Sequence, residues 1–288
     1  MSATTTLAPS QLRGPDSPIY TGCSALIGGV EPWYGYQPSF AAGIVFAVIF
    51  FLSLCGHLIA CVKPPRSHSI VLAVSALTEL LGWAGRTWAA KCPYNKAAFM
   101  MQIITLIIGP VFVTAAIYVI LGFLIRLRGV QYSLLKPKVY VYVFCTCDVV
   151  ALFVQASGAA LASRAFDKGE DTSKGAHIVV GGVIFQLVTM LIFASLFLTF
   201  LIRSKDVAAS RSQQLLVSAM WISFAAVFVR SVFRAVQLIQ GFHGYLSTHE
   251  GFFIGLDGAV MSVAVVVFNF VHLPKEVTKP EDKRPAAF

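Results

Sequence analysis

Hydrophobic residues fall in seven long stretches separated by short polar segments. A helix needs about 20 residues to cross the hydrocarbon core of a bilayer, and every stretch reaches that length. The pattern predicts an all-α integral membrane protein, a seven-transmembrane-helix bundle over residues 39–273 with tails at residues 1–38 and 274–288. The predicted helices are Ser39–Val62, Ile70–Ala90, Ala97–Ile125, Tyr140–Leu161, Ile178–Ile202, Leu215–Gln240 and Glu250–Leu273.

The distribution of Lys and Arg predicts the orientation of this bundle. The connections are short, so consecutive helices are antiparallel. Thirteen Lys and Arg residues lie in the connections after the first, third and fifth helices and in the C-terminal tail, against six on the opposite side. Because cytoplasmic segments retain positive charge during insertion, we expect the N terminus outside the cell and the C terminus in the cytosol.

The amino-acid composition agrees with an integral membrane protein and indicates which kinds of molecule it contacts. Hydrophobic residues make up 57% of the chain, charged residues make up 12%, and the mean hydropathy is +0.76, whereas about 25% of the residues in soluble domains are charged. The net charge of +9 is spread over four inner segments without the aromatic interleaving of a nucleic-acid surface. We expect membrane lipids as partners and no nucleic acid, and the sequence indicates no oligomeric state.

Ionisable and amide side chains lie inside four of the predicted helices. A charge at the bilayer centre costs about 2.5 to 3.5 kcal/mol even on insertion scales, so such residues face an interior rather than lipid. Spacings of three, four and seven residues place the members of each helix on one face. The set is Glu79 and Arg86 in helix two, Asp148 and Gln155 in helix four, Arg230, Arg234 and Gln237 in helix six, and Glu250 and Asp257 in helix seven.

Two interpretations of these polar residues stay open. They form buried ion pairs that only fix the register of the helices, or they line a polar cavity, open toward the outer half, for the head group of an amphiphile. Under the second interpretation, the excess of carboxylates over arginines favours a cationic or amine-bearing ligand. Asp257 and Glu250 are the candidates to contact it, and Arg230, Arg234 and Glu79 would surround them. Which acid meets which arginine is left open.

Proline and glycine positions indicate how the helices pack. Pro110 leaves one carbonyl of the long third helix without its helical donor and predicts a kink there. Gly82 in helix two, and Gly251, Gly255 and Gly258 in helix seven, are expected to let neighbouring backbones approach closely, as small residues do between membrane helices.

Aromatic residues and two cysteines lie on the predicted outer side. Trp33, Tyr34 and Tyr36 stand just before helix one, where an interfacial aromatic belt is expected and no ligand is needed to explain them. Cys23 and Cys92 would both face an oxidising compartment. A disulfide between them that ties the tail over the mouth of the bundle is a hypothesis.

From about Tyr36 to Pro274 the chain resembles the fungal lipid-translocating exporter family, which includes the aminocholesterol-resistance and sphingoid long-chain-base-resistance proteins. The residues that carry this resemblance are the run Tyr36-Gln37-Pro38, then Glu79, Gly82 and Arg86, then Pro110 and Tyr118, then Asp148, Gln155 and Gly158, and finally Arg230, Arg234, Gly241, Gly244, Glu250 and Asp257.

The chain departs from the family pattern at four positions. Gln237 stands where the family usually has a glutamate, and Ile254 where it usually has a tyrosine. Trp83 replaces a tyrosine, and Gly109 replaces an alanine. Without a charge at Gln237, a proton-coupled role at that position is in doubt, while the remaining network is intact.

The resemblance implies a multi-pass plasma-membrane protein that protects against toxic amphiphiles by translocation or efflux of sphingoid long-chain bases or sterol-like amines. No cofactor and no enzyme activity are expected. The sequence has no G-x-x-x-x-G-K-[ST] loop, so any transport is gradient-driven, passive or scramblase-like rather than driven by ATP through a P-loop.

Three other classes of membrane protein have features that can be compared with this sequence. A seven-helix receptor or lipid sensor agrees with the helix count, but the chain lacks an acid before Arg126 and a proline after Asn269. A retinal protein is excluded because no lysine lies in the predicted spans. A membrane-embedded zinc hydrolase needs paired histidines, whereas only His57 lies well inside a span, so no metal site is predicted.

Overall fold

Seven long helices make up most of the described chain. The computed structural model describes residues 18–27, 30, 32–62, 67–168, 170–240 and 244–271, and these contain only helices and their connections. The predicted seven-span, all-helical fold is thus confirmed for the described residues, while the orientation stays a prediction. The helices are α1 (Phe40–Ala60), α2 (Ser67–Lys91), α3 (Lys96–Arg128), α4 (Pro137–Lys168), α5 (Ser173–Arg203), α6 (Arg211–Gln240) and α7 (Glu250–Phe270).

Some predicted segments lie outside the described residues. These are residues 1–17, 28, 29 and 31 of the N-terminal tail, the end of the seventh predicted helix at 272–273, the C-terminal tail at 274–288, and Gly241 of the family pattern. We call the side on which α1, α3 and α7 begin and α2 and α6 end the N-terminal face.

Several helices are longer than predicted. The helix α4 continues seven residues past Leu161, and α5 begins five residues before Ile178. The hydrophobic pattern marks only the part of a helix that lies in hydrocarbon, whereas backbone hydrogen bonding continues through polar residues in the interface. The 33 residues of α3 span about 50 Å at 1.5 Å per residue, well beyond the hydrocarbon core.

Side-chain caps explain where two helices begin. The Ser39 side chain accepts a hydrogen bond from the Ala42 backbone N–H (3.3 Å) at the start of α1. The Asn95 side chain accepts one from Ala98 N–H (3.0 Å) at the start of α3. Both caps satisfy a donor that the first helical turn leaves free.

The bundle is built around α2 and α3. The helix α2 packs along both α1 and α3, α4 packs mainly on α5 and also on α3, and α7 packs mainly on α6. Burial is greatest in α3, where 56% of its most apolar 18-residue stretch lies inside the protein. It is least in α1 and α4, where the corresponding share is 28%. The central helices therefore carry the protein–protein packing, and α1 and α4 present most of their surface to lipid.

One turn of α7 is a π-helix, over Ile254–Ala259. Its wider turn changes the angular spacing of the glycines that a regular helix would align. An added Cβ on Gly258 would lie 2.6 Å from Trp83 and 2.8 Å from Phe46, whereas one on Gly251 or Gly255 meets nothing within 4 Å.

The predicted close approach is therefore wrong for Gly251 and Gly255. At Gly258 and Gly82 the close neighbours are side chains rather than backbones, since an added Cβ on Gly82 would collide with the Leu106 side chain of α3.

Candidate functional site

Asp257 in the π-turn of α7 binds Arg230 and Arg234 of α6. Its Oδ1 lies 2.6 Å from Arg230 Nε, and its Oδ2 lies 3.1 Å from Arg234 Nη2. The two arginines are one turn apart on α6, so their charges would repel without this carboxylate between them. Arg234 Nη1 also reaches Gln237 Oε1 (3.5 Å), so the amide keeps an acceptor where the family usually has a glutamate.

Pro110 explains a second contact of Arg230. Proline has no N–H, so the carbonyl four residues earlier in the helix, that of Leu106, lacks its normal donor. Arg230 Nη2 donates a hydrogen bond to this Leu106 oxygen. The predicted break in backbone bonding thus serves as the point where α6 binds α3.

Glu79 lies next to this break. Its side chain is 1% exposed, and its Oε1 has no hydrogen-bond partner among the described residues. A Cβ on Gly109 would lie 2.5 Å from that oxygen, so the glycine before Pro110 makes the room that Glu79 occupies. Among the described residues no ion pair joins this carboxyl group to an arginine.

A separate ion pair lies nearer the N-terminal face. Arg86 Nη2 is 2.6 Å from Glu250 Oε1 and donates to the Tyr36 hydroxyl (3.0 Å). The same Glu250 oxygen accepts a hydrogen bond from the Ser39 backbone N–H (2.8 Å). Glu250 therefore joins the start of α7 to α2 and to the start of α1.

Phe253 connects the two ion-paired groups. The centre of its ring lies 4.3 Å from the Arg86 guanidinium carbon and 5.1 Å from that of Arg234. We call these ion-paired groups, together with the neighbouring Glu79, the arginine–carboxylate network, which contains three arginines and three acidic residues. Its members are Glu79, Arg86, Arg230, Arg234, Glu250 and Asp257.

Two predicted site residues lie apart from this network. Asp148 Oδ2 accepts hydrogen bonds from Thr114 (2.8 Å) and Tyr118 (3.1 Å) of α3, and among the described residues it has no arginine partner. Gln155 donates to Gln186 of α5 (3.2 Å). The prediction that helix four shares one interior space with helices two, six and seven is wrong, because α4 packs on α3 and α5.

The arginine–carboxylate network is closed. Arg86 is 0%, Asp257 1% and Arg230 4% exposed, and only Glu250 and Arg234 keep partly exposed side chains, at 20% and 18%. The arginines and carboxylates thus contact one another, as the ion-pair interpretation expects, and do not line an open cavity. A ligand that binds among them would require the side chains to rearrange, and Glu250 and Arg234 are the members that are partly exposed.

A segment before α1 covers this end of the bundle. We call its described residues between 18 and 38 the N-terminal strap. Cys23 of the strap is joined by a disulfide to Cys92 after α2, Trp33 Nε1 donates to Tyr94 O (2.7 Å), and Asn95 Nδ2 donates to Gly22 O (3.1 Å). These bonds hold the strap on the connection between α2 and α3.

Two strap aromatics turn inward. The Tyr34 and Tyr36 ring centres lie 5.5 and 5.8 Å from the Arg86 guanidinium carbon. Their assignment to an interfacial belt was therefore wrong. Burial raises the pKa of Tyr34 above its ordinary range, so the phenol stays protonated and donates to Gln102 Oε1 (2.7 Å).

Comparison with known proteins places these residues in context. The family described as RTA1 like protein matches residues 72–280. The chain is 30% identical to the sphingoid long-chain base transporter RSB1 of Saccharomyces cerevisiae, over 83% of this chain and 72% of that protein.

Two further relatives have different names. The probable lipid transporter atnI of Emericella nidulans is 26% identical over 99% of this chain and 79% of its own length. Protoporphyrin uptake protein 1 of Saccharomyces cerevisiae is 24% identical over 82% and 90%. No solved structure matches the chain.

Proposed function

Because the chain belongs to the family of RTA1 like proteins, we propose that it translocates amphiphilic lipids with an amine head group, such as sphingoid long-chain bases or sterol-like amines. Membership in this family confirms the resemblance seen in the sequence. The relatives named as a sphingoid long-chain base transporter and a probable lipid transporter support a role in membrane lipid transport. In this proposal the protein lies in the plasma membrane and protects the cell from toxic amphiphiles.

The observation that carries the proposal is the depth over which the network extends. Glu250 is the first residue of α7, and Asp257 lies seven residues further along, about 10 Å deeper at 1.5 Å per residue. Glu79 lies twelve residues before the end of α2, about 18 Å from the N-terminal face. Carboxylates thus occur at successive depths from one face to near the middle of the membrane.

Two of these carboxylates, Glu250 and Asp257, are paired with arginines. A cationic head group beside Glu250 or Asp257 pairs with a carboxylate, so it does not enter the bilayer as an unpaired charge. The arginine that it displaces stays in the protein and keeps its charge, so that guanidinium must turn to another acceptor or to the water at the N-terminal face. The alkyl or sterol part of the amphiphile stays among the lipid tails while the head group moves along the network.

Two further features shape the proposal. The sequence contains no P-loop motif, so translocation is gradient-driven, passive or scramblase-like. Asp257 and Glu250 contact the amine, and Arg230, Arg234 and Glu79 balance the charge around it. The alternative, a seven-helix sensor, predicts that the amphiphile changes cytosolic signalling while its distribution between the leaflets stays the same.

The test is Asp257→Asn, with Asp148→Asn as its matched control. Both replace a buried carboxylate that lies 1% exposed, but only Asp257 binds arginines. Breaking a buried ion pair costs about 3 to 5 kcal/mol, so surface amounts of both variants must be measured. We expect Asp257→Asn to abolish protection against a toxic long-chain amine, Asp257→Glu to restore part of it, and Asp148→Asn to retain most of it.

A leaflet-resolved flip assay separates transport from sensing. Purified protein in liposomes is expected to accelerate the flip of a fluorescent sphingoid base over that of ordinary phospholipid, and Asp257→Asn is expected to remove the acceleration. Normal protection by Asp257→Asn at equal surface amount contradicts the site. Absence of flip by the parent protein, together with a signalling response to the amine, favours the sensor instead.

A further inference from the structure

Four aromatic rings surround the guanidinium of Arg86. The ring centres of Phe253, Tyr34, Tyr36 and Trp83 lie 4.3, 5.5, 5.8 and 6.0 Å from its central carbon. These distances are within the range at which a ring face attracts a cation, and rings grouped in this way are the usual means of holding an organic ammonium ion. We call these four residues the ring cage.

Arg86 uses few of its hydrogen-bonding groups inside this cage. Its Nη2 contacts Glu250 and the Tyr36 hydroxyl. Its Nε and Nη1 are buried and have no hydrogen-bond partner in the part of the chain that the structure describes. A guanidinium offers five N–H donors, so the cage supplies ring faces and one carboxylate to a cation that requires more acceptors.

An ammonium head group would leave fewer donors unpaired in these surroundings than Arg86 does. A primary ammonium has three donors, and Glu250 and the Tyr36 hydroxyl lie where two of them can bind. The remaining surface of the cation faces rings, which attract it without accepting conventional hydrogen bonds. The location also suits entry, because Glu250 is partly exposed and Tyr36 is only half-buried on the strap.

We propose that the ring cage and Glu250 form a binding site for the ammonium group of an amphiphile, and that Arg86 occupies this site in the closed state as a tethered stand-in that the ligand displaces. The inference rests on the proposed function for the amine class of the ligand. It adds where the amine binds first. It also gives Arg86 the role of a competitor rather than of a ligand-binding residue.

The competitor role predicts that removal of the Arg86 side chain increases the affinity for an amine. If Arg86 fills the cage for all but about a tenth of the time, removal of its side chain raises the apparent affinity for an amine about tenfold. A residue that contacts the ligand would give the opposite result. Loss of a cage ring is expected to lower the affinity several-fold, because one face of the cation loses its partner.

The experiment measures binding of a long-chain primary amine to purified protein in nanodiscs by titration calorimetry. The probe for comparison is a long-chain alcohol with the same chain, which carries no charge. We expect Arg86→Ala to bind the amine about tenfold more tightly and the alcohol unchanged, and Arg86→Ala/Phe253→Leu to lose this gain. Arg126→Ala, at an exposed position of α3, is the control and is expected to behave as the parent protein.

The outcomes separate the cage from the proposed function. Weaker or unchanged amine binding by folded Arg86→Ala overturns the cage. If Arg86→Ala does not fold, Phe253→Leu alone decides, since unchanged amine binding by that variant also overturns the cage. Tighter binding by Arg86→Ala in a protein that flips no lipid supports the cage and contradicts the proposed transport. Lipid flip without tighter binding by Arg86→Ala supports the transport and contradicts the cage.

Discussion

The contact between Arg230 and the Leu106 carbonyl predicts a measurable coupling between Arg230 and Pro110. The carbonyl is available only because Pro110 cannot donate to it, and Arg230 supplies the donor. In Pro110→Ala, the restored backbone N–H of residue 110 competes for the same oxygen. The two positions lie on different helices, α6 and α3, and a shared acceptor is the physical link between them.

The magnitude follows from two opposing terms. Pro in a helix interior costs about 3 kcal/mol relative to Ala, and a hydrogen bond from a charged donor contributes about 1.5 to 3 kcal/mol. Pro110→Ala removes the cost of the proline but loses most of the hydrogen bond from Arg230. We therefore expect a net stabilisation of only about 1 kcal/mol. In the parent protein Arg230→Lys loses the bond to Leu106 while keeping a positive charge beside Asp257.

The assay is a double-mutant cycle on unfolding free energy in mixed micelles. Arg230→Lys is expected to destabilise the parent more than it destabilises Pro110→Ala, with a coupling of about 1 to 2 kcal/mol. The control cycle pairs Pro110→Ala with Arg126→Lys and is expected to be additive within about 0.5 kcal/mol. If the effects of Pro110→Ala and Arg230→Lys on the free energy of unfolding also add, the carbonyl does not connect the two residues and the explanation of this contact is refuted.

Two further predictions concern packing and covalent structure. Gly258→Ala places a methyl group 2.6 Å from Trp83, and we expect this overpacking to lower the free energy of unfolding by about 1 to 3 kcal/mol. Gly251→Ala adds a carbon that meets nothing within 4 Å, so the melting temperature should stay unchanged or rise slightly. Equal losses of stability in the two variants would contradict the packing described for α7. The bond between Cys23 and Cys92 closes a loop with a sequence separation of 69, so Cys92→Ser is expected to cost about 4 kcal/mol. Protein cleaved between the two cysteines should run as one species on a gel until it is reduced, and unchanged mobility on reduction would argue against the bond.

The spans and the charged members of the network were predictable because each has a local signal. Twenty apolar residues in a row have few alternatives to a membrane helix, and a charge such as Asp257 or Arg230 inside such a run must be matched by another polar group. Pro110 likewise predicted that a carbonyl of its own helix lacks the usual backbone donor. Which donor would reach that carbonyl depends on how α6 lies beside α3, and no spacing within one helix carries that information.

The errors in the sequence prediction have related causes. Asp148 has the same spacing signal as Glu79, yet α4 turns it toward hydroxyl groups of α3, because helix order in the chain does not determine which helices share an interior. The π-turn around Asp257 alters the angular spacing on which the glycine prediction relied. Tyr34 and Tyr36 lie where interfacial aromatics are common, and only the position of the strap shows that they face Arg86.

The disulfide of the N-terminal strap has a consequence for how the protein matures. Two walls of the ring cage, Tyr34 and Tyr36, come from a segment whose one covalent attachment among the described residues, apart from the chain itself, is the bond between Cys23 and Cys92. Protein made where thiols stay reduced would contain all its spans but would hold this segment by noncovalent contacts alone. Recombinant material should therefore be produced in the secretory pathway, where the bond can form.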